Sequence, residues 1–451
     1  MMTQDKIYLE TFGCQMNVAD SERTIAVLRA SGYEPTDQVN QADVILLNTC
    51  SIRERAEQKV FNRLGEIRNK SKRHAIFGIM GCVAQLEGDA FFDRIPSLNF
   101  IVGTRANDRI PLLIQEIREG ARRVSDYGER GENEHLYISQ TERHSPHIAF
   151  IPIVEGCNKF CTYCVVPYSR GRERSRPAAE IVEEAKTLLA EGYREVQLIG
   201  QNVNSYRPKL EKGLEGFSGA TPFSRLLRAV AATGIPRIKF TTSFPRDFHA
   251  DIIAAMDEHE NLCNWIHLPV QSGSDRVLRA MRRGYSVEDY FKKIEYIKNA
   301  KRRYALTSDV IIGFPGETDE DFAATVDLVE RCRYDGLYIF KYSKRPHTPA
   351  AKLSDDVSDE EKTLRFRQLE EVQNKIQATI FNSYLNQHLD VLAEGVSARS
   401  RGDLTGHSTC NKVVNFPGNS DLVGSIVSVK VTSVKSHTLY GAAVGARSQH
   451  I

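Results

Sequence analysis

The chain has 451 residues, of which 41% are hydrophobic and 26% are charged, so it corresponds to about three domains of ~150 residues with an ordinary globular composition. These figures exclude a fibrous, a disordered or a disulfide-stapled protein. With 60 Lys and Arg against 58 Asp and Glu, the formal net charge is only +2, which argues against nucleic-acid binding through overall charge and leaves local basic patches as the alternative.

The sequence shows neither the apolar core of a signal peptide nor an apolar run of ~18 residues, which predicts a cytoplasmic protein without membrane contact. Disulfides are rare in that compartment, yet the chain has nine cysteines, an odd number. Some of these thiols are therefore expected to bind metal or to do chemistry. They are Cys14, Cys50, Cys82, Cys157, Cys161, Cys164, Cys263, Cys332 and Cys410.

Residues 1–120 alternate between strand-like and helix-like patterns. The helical patterns cover Ser21–Ala30, with Asp20 and Ser21 as expected N-terminal caps, and Arg53–Lys70. This order predicts an N-terminal domain built on a small parallel α/β sheet. Its four strands are expected at Ile7–Leu9, Val44–Leu47, Ala75–Met80 and Phe100–Val102.

A cysteine follows each of the first three predicted strands, namely Cys14, Cys50 and Cys82. Because parallel strands end at one edge of their sheet, where ligands bind, these three thiols are expected to converge. Cysteines that only pack in the core are the alternative. Since packing residues would not need equivalent positions, the pattern favours a common ligand.

Residues 121–145 are polar and lack periodicity, which predicts a linker. Residues 146–382 then contain six strand-like runs separated by helical patterns, which predict a partial barrel of the TIM type with its chemistry at the carboxyl ends of the strands. The strands are expected at Ala149–Val154, Val196–Ile199, Ile238–Thr242, Trp265–Val270, Val310–Ile312 and Leu337–Phe340. The helices are expected at Ala178–Ala190, Phe223–Ala232, Asp275–Met281, Val287–Asn299 and Glu320–Cys332.

A charged helical stretch, Asp359–Asn382, closes this region. Residues 383–451 change to short β-rich runs broken by Gly, Asn and Pro. That pattern predicts a small all-β barrel at the C-terminal end of the sequence.

The sequence Cys157-Asn-Lys-Phe-Cys161-Thr-Tyr-Cys164 directly follows the first predicted barrel strand. Three thiolates with no fourth Cys or His nearby leave a tetrahedral zinc site incomplete. They suit a 4Fe-4S cluster, whose irons take Cys thiolates, with one iron open for a ligand.

This motif at this place resembles that of the radical S-adenosylmethionine (SAM) enzymes, and the whole chain is similar to the MiaB-type tRNA methylthiotransferases. Gln15–Asn17 and Ser51–Arg55 favour this type over its sister families, which modify a ribosomal-protein aspartate or a threonylcarbamoyl adenosine. The matching segments are Thr11–Asn17, Leu46–Val60, Gly81–Gln85, Cys157–Arg176, Gly200–Tyr206, His267–Asp275, Gly313–Thr318 and Thr405–Phe416.

The resemblance implies two 4Fe-4S clusters. The three barrel cysteines would hold the cluster that binds SAM and, given an electron, yields a 5′-deoxyadenosyl radical. Cys14, Cys50 and Cys82 would hold an auxiliary cluster, whose open iron carries the sulfur that is methylated and inserted. SAM is then both methyl donor and radical source, and no catalytic residue beyond the cluster ligands is required.

The resemblance also implies a SAM site across the carboxyl ends of the barrel strands. Polar and apolar residues at equivalent strand ends are the candidates, although each alone also fits a loop cap or a packing role. They are Tyr163, Gln201, Asn202, Ser243, Gln271, Asp309, Ile311 and Tyr342.

RNA contact is expected from a run of arginines beyond the cysteine motif and from the C-terminal barrel, which resembles a TRAM domain, an RNA-binding module. A solvated charge run is the alternative for the arginines. The expected contacts are Arg170, Arg172, Arg174, Arg176, Lys412, Lys435 and His437.

Taken together, the resemblance implies a monomeric enzyme that methylthiolates C2 of N6-isopentenyladenosine at position 37 of the tRNA anticodon stem-loop, with electrons from a low-potential donor. The alternatives are methylthiolation of N6-threonylcarbamoyladenosine, and a non-catalytic iron-sulfur protein that binds RNA or transfers electrons. Phe244 stands where the family more often has His, which weakens a polar role there. Cys263, Cys332 and Cys410 are expected to be packing or surface thiols, and Trp265 a core residue.

Overall fold

The structure is a computed structural model, which describes residues 5–50, 63–128, 142–398, 400 and 402–446. The chain divides into two compact units, each described by itself below. The first unit comprises residues 1–144, 155–158 and 164–176, and the second comprises residues 145–154, 159–163 and 177–451.

The first unit is built on a six-stranded sheet in the order β2-β1-β3-β4-β5-β6, in which every pair of neighbouring strands is parallel. The predicted parallel α/β sheet is therefore confirmed. The strands are β1 (Lys6–Thr11), β2 (Glu34–Pro35), β3 (Val44–Thr49), β4 (Ile76–Gly81), β5 (Phe100–Val102) and β6 (Val124–Asp126).

Both faces of this sheet are covered, as in other all-parallel sheets. Successive side chains of β3 point to opposite faces, so Ile45 and Leu47 enter one hydrophobic core and Val44 and Leu46 enter another. The covering helices are Gln15–Ala30, residues 63–70, Cys82–Glu87, Ala90–Arg94 and Ile110–Arg118, and the short helix Val166–Ser169 also belongs to this unit.

Two expectations for this unit are corrected. The first helix begins at Gln15 with Cys14 as its N-cap, so Asp20 and Ser21 lie inside the helix, where both are buried. Gly13, with φ of +123°, turns the chain directly from β1 into the helix. The predicted linker contains β6, because three residues suffice to add an edge strand to β5. The rest of that linker at 129–141 and the segment 51–62 lie outside the described residues.

The second unit contains six parallel strands that follow one another in chain order, which confirms the predicted partial barrel. They form the sheets β7-β9-β10 and β11-β12-β13, joined by a parallel bridge between Ile238 and Leu262 and by the bond from Ser243 N–H to His267 C=O. The strands are β7 (Ile148–Glu155), β9 (Glu195–Gly200), β10 (Arg237–Phe240), β11 (Trp265–His267), β12 (Ala305–Ile312) and β13 (Gly336–Lys341), while β8 (Arg174–Ser175) belongs to the first unit.

Helices follow the barrel strands and enclose one large hydrophobic core. Two of them start with a complete capping box, formed by Ser286 with Asp289 and by Thr318 with Asp321. The helices are Ala178–Ala190, Pro222–Ala231, Ala250–Glu258, Asp275–Ala280, Val287–Lys298, Asp319–Cys332 and Asp359–Asn382.

The predicted C-terminal barrel is also confirmed: five strands close in the order β14-β15-β16-β18-β17. It packs on the rest of the second unit, because the buried Arg237 donates to the carbonyls of Asp390 and Ser408 at 3.3 and 3.1 Å. The strands are β14 (His388–Val396), β15 (Asp403–Ser408), β16 (Val413–Pro417), β17 (Ile426–Val434) and β18 (Leu439–Ala446).

Among the described helices, none combines the length and the apolar composition that crossing a bilayer requires.

Candidate functional site

The three N-terminal cysteines lie at the same edge of the first unit's sheet, beyond the carboxyl ends of its strands. Cys50 and Cys82 directly follow the neighbouring strands β3 and β4, and Cys14 follows β1, which pairs with β3. The turn at Gly13 passes so close to Cys50 that an added Cβ would lie 2.5 Å from its Cβ. Gly81, which precedes Cys82, has φ of +98°. A Cβ added there would lie 2.5 Å from the Thr49 carbonyl oxygen. The geometry therefore places the turn before Cys14 against Cys50, and it places Cys82 at the end of the neighbouring strand.

A buried polar network fixes the strand ends beneath the thiols. The Asn17 amide donates to the side-chain oxygen of Asn48 and to the carbonyl of Thr49, both at 3.0 Å. Asn48 in turn donates to the Asn17 carbonyl at 2.8 Å and to the Ser21 hydroxyl at 3.0 Å. Residue-by-residue sequence reasoning missed Asn48 and Ser21 as site residues; the signal was a polar Asn inside an otherwise apolar strand.

Arg170 and Asp20 form a buried ion pair in the same unit. The Arg170 Nη2 lies 2.7 Å from Asp20 Oδ2, with both side chains almost fully buried. On the other side, Arg170 Nη1 is 3.7 Å from Glu155 Oε1. This cation acts on the cysteines: the pKa of Cys14 falls to about 6 through a hydrogen bond with Cys50, the Arg170 charge and backbone N–H groups. Burial raises the pKa of Cys82, which Arg170 opposes.

The three thiols are of the chemical type that binds an iron-sulfur cluster. Within the described residues, no three His, Cys, Asp or Glu side chains converge closely enough to hold one metal ion. A cubane cluster offers a separate iron to each thiolate, so its ligands need not meet at one atom. The fully buried Nη1 of Arg170 has no hydrogen-bond partner, as expected if it faces an anionic group that fills the site.

The second cysteine motif lies in the loop after β7. In the first unit, the Cys157 N–H donates to the Gly171 carbonyl at 3.0 Å, and Cys164 is partly buried. In the second unit, Cys161 is buried and its Sγ accepts from Arg283 Nη1 at 3.5 Å. The loop around Cys161 is held by Thr162, whose N–H donates to the Met281 carbonyl at 3.1 Å.

Arg283 is a buried cation that sequence reasoning missed. Its guanidinium donates to the Pro269 carbonyl at 2.8 Å and to the hydroxyls of Tyr285 and Tyr163 at 2.9 and 3.3 Å. The ring of Phe244 lies 4.5 Å from the guanidinium carbon. The ring of Phe244 therefore stabilises the Arg283 cation through a cation–π contact, at a position where the sequence argued against a polar role. In the described part of the chain, no carboxylate pairs with Arg283.

Three of the predicted SAM contacts have a buried polar atom without any hydrogen-bond partner: Ser243 Oγ, Gln271 Oε1 and the Tyr342 hydroxyl. All three follow carboxyl ends of barrel strands, and buried polar atoms are otherwise almost always paired. Thr242 and Gln271 also have positive φ values of 69° and 78°, which are strained for non-glycine residues. These observations fit a polar ligand at this edge of the barrel.

The remaining SAM candidates have other surroundings. Tyr163 and Ile311 pack against a small apolar cluster that includes Tyr342. Asp309 Oδ1 lies 3.5 Å from His267 Nε2, and Gln201 and Asn202 directly follow β9. Their assignment to SAM stays a prediction.

The predicted RNA contacts divide into exposed and buried residues. Arg172, Lys435 and His437 are exposed and Arg174 is half-buried. Arg170, Arg176 and Lys412 are at least 95% buried, and Lys412 Nζ pairs with Asp335 at 2.7 Å. The prediction that these three contact RNA is corrected, because their charges are enclosed by the protein.

A basic cleft of about 430 Å³ lies at the opposite, amino-terminal edge of the first unit's sheet. Lys72 is paired there with Asp43 at 2.6 Å, and no acidic side chain lines the cleft. Sequence reasoning missed it because its cations come from separate turns. They are Arg68, Lys72, Arg73, Arg122 and Arg123.

The remaining cysteines, Cys263, Cys332 and Cys410, are buried, as expected for packing thiols. Burial raises the pKa of Cys263, and that of Cys332 to about 11. Trp265 is partly buried at the edge of the C-terminal barrel's core and donates to Thr307 Oγ1 at 3.0 Å.

Three known families match successive parts of the chain. The "Radical SAM superfamily" matches residues 151–329, the "Uncharacterized protein family UPF0004" matches residues 6–103, and the "TRAM domain" matches residues 382–444. Together with the two sets of strand-end cysteines, these matches define a radical SAM enzyme that carries a TRAM domain.

Two relatives, from Solibacter usitatus (strain Ellin6076) and Koribacter versatilis (strain Ellin345), are 45% and 42% identical to this chain. The alignments cover 96% and 97% of this chain and 97% and 98% of the relatives. Both relatives are named tRNA-2-methylthio-N(6)-dimethylallyladenosine synthase. The chain belongs to this family.

Solved structures show the same fold at low sequence identity. The radical SAM methyltransferase TsrM from Kitasatospora setae, with cobalamin and a 4Fe-4S cluster bound, matches with a TM-score of 0.56 and 14% identity over 77% of each chain. The cobalamin-dependent SAM radical enzyme OxsB matches with a TM-score of 0.52 and 12% identity over 82% of this chain and 56% of that chain.

Proposed function

We propose that the protein methylthiolates C2 of N6-isopentenyladenosine at position 37 of tRNA. The observation that carries this proposal is the presence of two separate cysteine trios. Cys14, Cys50 and Cys82 follow three parallel strands, and Cys157, Cys161 and Cys164 lie in the loop after β7. A reaction that both generates a radical and inserts a sulfur atom has a use for two clusters, whereas an electron carrier or an RNA-binding module does not require a SAM site. The names of the full-length relatives support the same reaction.

Cys157, Cys161 and Cys164 would hold a cluster that, with SAM, would supply radical chemistry for adenine C2, and Cys14, Cys50 and Cys82 would hold a cluster that would supply the sulfur. The chain's own contribution is to position these groups and exclude water. Cys50, Cys82, Cys157 and Cys161 are each more than 90% buried, so a cluster held by them is shielded from solvent. SAM cleavage also requires an electron, so the proposed function implies a low-potential electron donor as a partner of the protein.

SAM would be oriented by the polar atoms that have no protein partner. Ser243 and Gln271 would contribute side-chain oxygens, and the Tyr342 hydroxyl would complete the set from the end of β13. Since these atoms are buried, a bound ligand that pairs with them recovers the stability lost through their desolvation. Tyr163, which directly precedes Cys164 in the cysteine loop, would lie against the same ligand.

The tRNA would bind to cations that are exposed or half-buried. Arg172 and Arg174 follow the cysteine loop, and Lys435 and His437 lie in the turn between β17 and β18 of the TRAM barrel. The basic cleft of the first unit offers further cations for phosphates. The module itself, a small closed β-barrel, is typical of nucleic-acid binding.

The test is an anaerobic reaction of the reconstituted full chain with dithionite, SAM and anticodon stem-loops that differ only at position 37. Methylthiolation of the isopentenyladenosine stem-loop is expected. Equal activity on unmodified adenosine would overturn the isopentenyl specificity, and activity on the threonylcarbamoyl stem-loop alone would assign the alternative substrate. Absence of 5′-deoxyadenosine with every substrate would overturn the radical reaction.

A further inference from the structure

One arginine from the segment after the second cysteine motif lies beside the first cysteine trio. Arg170, six positions after Cys164 in the sequence, belongs to the first unit and is 2% exposed. Its Nη2 bonds to Asp20 Oδ2 at 2.7 Å and lies 3.4 Å from the Asn17 Oδ1. Asn17 Oδ1 also accepts from the Cys14 thiol at 3.5 Å. Arg170 is therefore linked to Cys14, a predicted cluster ligand, through the shared acceptor Asn17 Oδ1.

The other half of the guanidinium makes no hydrogen bond, and its Nη1 has only an ion-pair contact with Glu155. Arg170 Nη1 is buried and makes no hydrogen bond, and it lies 3.7 Å from the nearest Glu155 oxygen. Buried guanidinium N–H groups are expected to form hydrogen bonds. A buried N–H group without one has lost its hydration with no hydrogen bond to compensate, and this cost is larger for a charged donor. A buried donor that makes no hydrogen bond therefore points to an acceptor that occupies the site when the cluster is bound.

The position of Arg170 is fixed by its backbone. Its carbonyl accepts from Arg105 Nη2 at 2.8 Å, and the preceding Ser169 carbonyl accepts from Thr104 Oγ1 at 2.7 Å. The next residue, Gly171, has φ of +73° and packs so closely on Arg105 that any Cβ would overlap it. These contacts hold the turn at residues 169–171 in place, and the turn positions the Arg170 side chain beside the first cysteine trio.

The charge balance around Arg170 is specific. Two carboxylates, Asp20 and Glu155, accompany one guanidinium, and both belong to the same unit. Hydrogen bonds to cluster sulfurs and nearby charge are the usual means by which a protein sets the potential of an iron-sulfur cluster.

We propose that Arg170 is a positioning residue of the auxiliary cluster: its Nη1 donates a hydrogen bond to a sulfur of that cluster, and its charge, opposed by Asp20, sets the cluster's reduction potential. The inference rests on the proposed function only in requiring a cluster at Cys14, Cys50 and Cys82. The contrasting interpretation is an ion pair that merely ties the segment 164–176 to the helix Gln15–Ala30.

The experiment uses the full chain with Cys157, Cys161 and Cys164 changed to Ala, so that only the auxiliary cluster assembles. Its potential is measured by an EPR-monitored redox titration. Arg170→Gln removes the positive charge, so we expect a more negative potential. Asp20→Asn removes the opposing negative charge, so we expect a more positive one. Arg172→Gln, at the exposed neighbouring arginine, serves as the matched control and is expected to leave the potential unchanged.

A second readout tests the hydrogen bond. Pulsed EPR of the reduced cluster in H₂O and D₂O is expected to show an exchangeable proton coupled to the cluster, which Arg170→Gln loses and Arg172→Gln retains. Shifts of the same sign in Arg170→Gln and Asp20→Asn, or an unchanged proton coupling in Arg170→Gln, would overturn the proposal and leave a purely structural ion pair.

If Arg170→Gln does not retain its cluster, the Asp20→Asn variant decides, since it keeps the arginine. An unchanged potential in Asp20→Asn would then refute the proposal, and a positive shift would support it. Failure of the parent chain to bind iron at the first trio would instead overturn the two-cluster function, so the two failures are distinguishable.

Discussion

The two cysteine motifs each have a buried arginine beside them, but the protein balances the two charges differently. Arg170, beside the first trio, faces the carboxylates of Asp20 and Glu155. Arg283, beside Cys161, is surrounded by carbonyl and hydroxyl oxygens and the ring of Phe244. The charge of Arg170 is therefore compensated by carboxylates, whereas that of Arg283 has no carboxylate beside it among the described residues.

The difference corresponds to what each site would hold. A cluster that must accept an electron for SAM cleavage benefits from an uncompensated cation, because the added negative charge is stabilised. A cluster whose open iron carries sulfur for transfer has no such requirement. The comparison suggests that the protein sets the two clusters apart by local charge as well as by their ligands.

The largest expected effect separates the roles of the two trios. Cys161→Ala should abolish both 5′-deoxyadenosine formation and methylthiolation, whereas Cys14→Ala should abolish methylthiolation but leave SAM cleavage measurable. Mass spectrometry of nucleosides after anaerobic turnover gives both readouts. Iron content should fall in each variant, so iron equal to the wild type in both would contradict the two-cluster arrangement.

A buried carboxylate in the second unit that pairs with two cations gives the next effect. Glu195 is buried between Arg237 and Lys239, at 2.9 and 3.2 Å, and although burial opposes it, these cations lower the pKa of Glu195 to about 2. Glu195→Gln should destabilise the protein by about 3–5 kcal/mol, because two buried cations lose their partner. Thermal unfolding of this variant and of the exposed control Glu183→Gln checks the difference.

The ion pairs of Glu195 also determine how the stability of the protein depends on pH. The depressed pKa of Glu195 stabilises the folded state above about pH 4.5, the ordinary value, and this contribution is lost as the pH falls toward about 2. The stability difference between wild type and Glu195→Gln should therefore shrink on acidification through this window. A difference that stays constant from pH 6 to pH 2 would contradict the assignment.

Arg283 tests the uncompensated side of the comparison. Arg283→Gln should lower the rate of SAM cleavage about 10–100-fold, the usual cost of losing a residue that hydrogen-bonds a cluster ligand. The potential of the cluster held by the second trio should become more negative. The exposed neighbour Arg282 provides the control, and equal rates in Arg283→Gln and Arg282→Gln would refute the role.

A smaller effect is expected at the SAM site. Tyr342→Phe removes a buried hydroxyl that has no protein partner, so the ligand-free protein should lose no stability. SAM binding should weaken about 5-fold, the equivalent of one hydrogen bond of about 1 kcal/mol. Calorimetric titration of SAM into the reconstituted enzyme measures it, and unchanged affinity would remove Tyr342 from the site.

The smallest effect distinguishes surface from buried cations of the TRAM barrel. Lys435→Gln should weaken tRNA binding slightly and reduce the salt-dependence slope by about 1, as for one phosphate contact. Lys412→Gln should instead lower thermal stability, because Asp335 loses its buried partner. Fluorescence titrations at several salt concentrations and thermal unfolding give the two readouts; the reverse pattern would restore Lys412 as an RNA contact.

Sequence reasoning succeeded where the signal was local. The parallel strands were predicted because long apolar runs alternate with helical patterns, and the structure places β3 and β4 within a residue or two of expectation. It failed at the start of the first helix, where the capping preference of Asp20 and Ser21 suggested an entry point. The turn at Gly13 starts the helix earlier and makes both residues internal.

The sequence by itself determined the chemistry: thiolates in two sets of three, spaced and placed after strands, restrict the ligand to an iron-sulfur cluster, and this information is contained in short segments. Only the tertiary structure decided which cations are available to RNA. Arg170 and Asp20 are 150 positions apart, and no local pattern reveals that such partners meet. A charge is expected at the surface until a partner distant in sequence compensates its desolvation, and that compensation exists only in the folded chain.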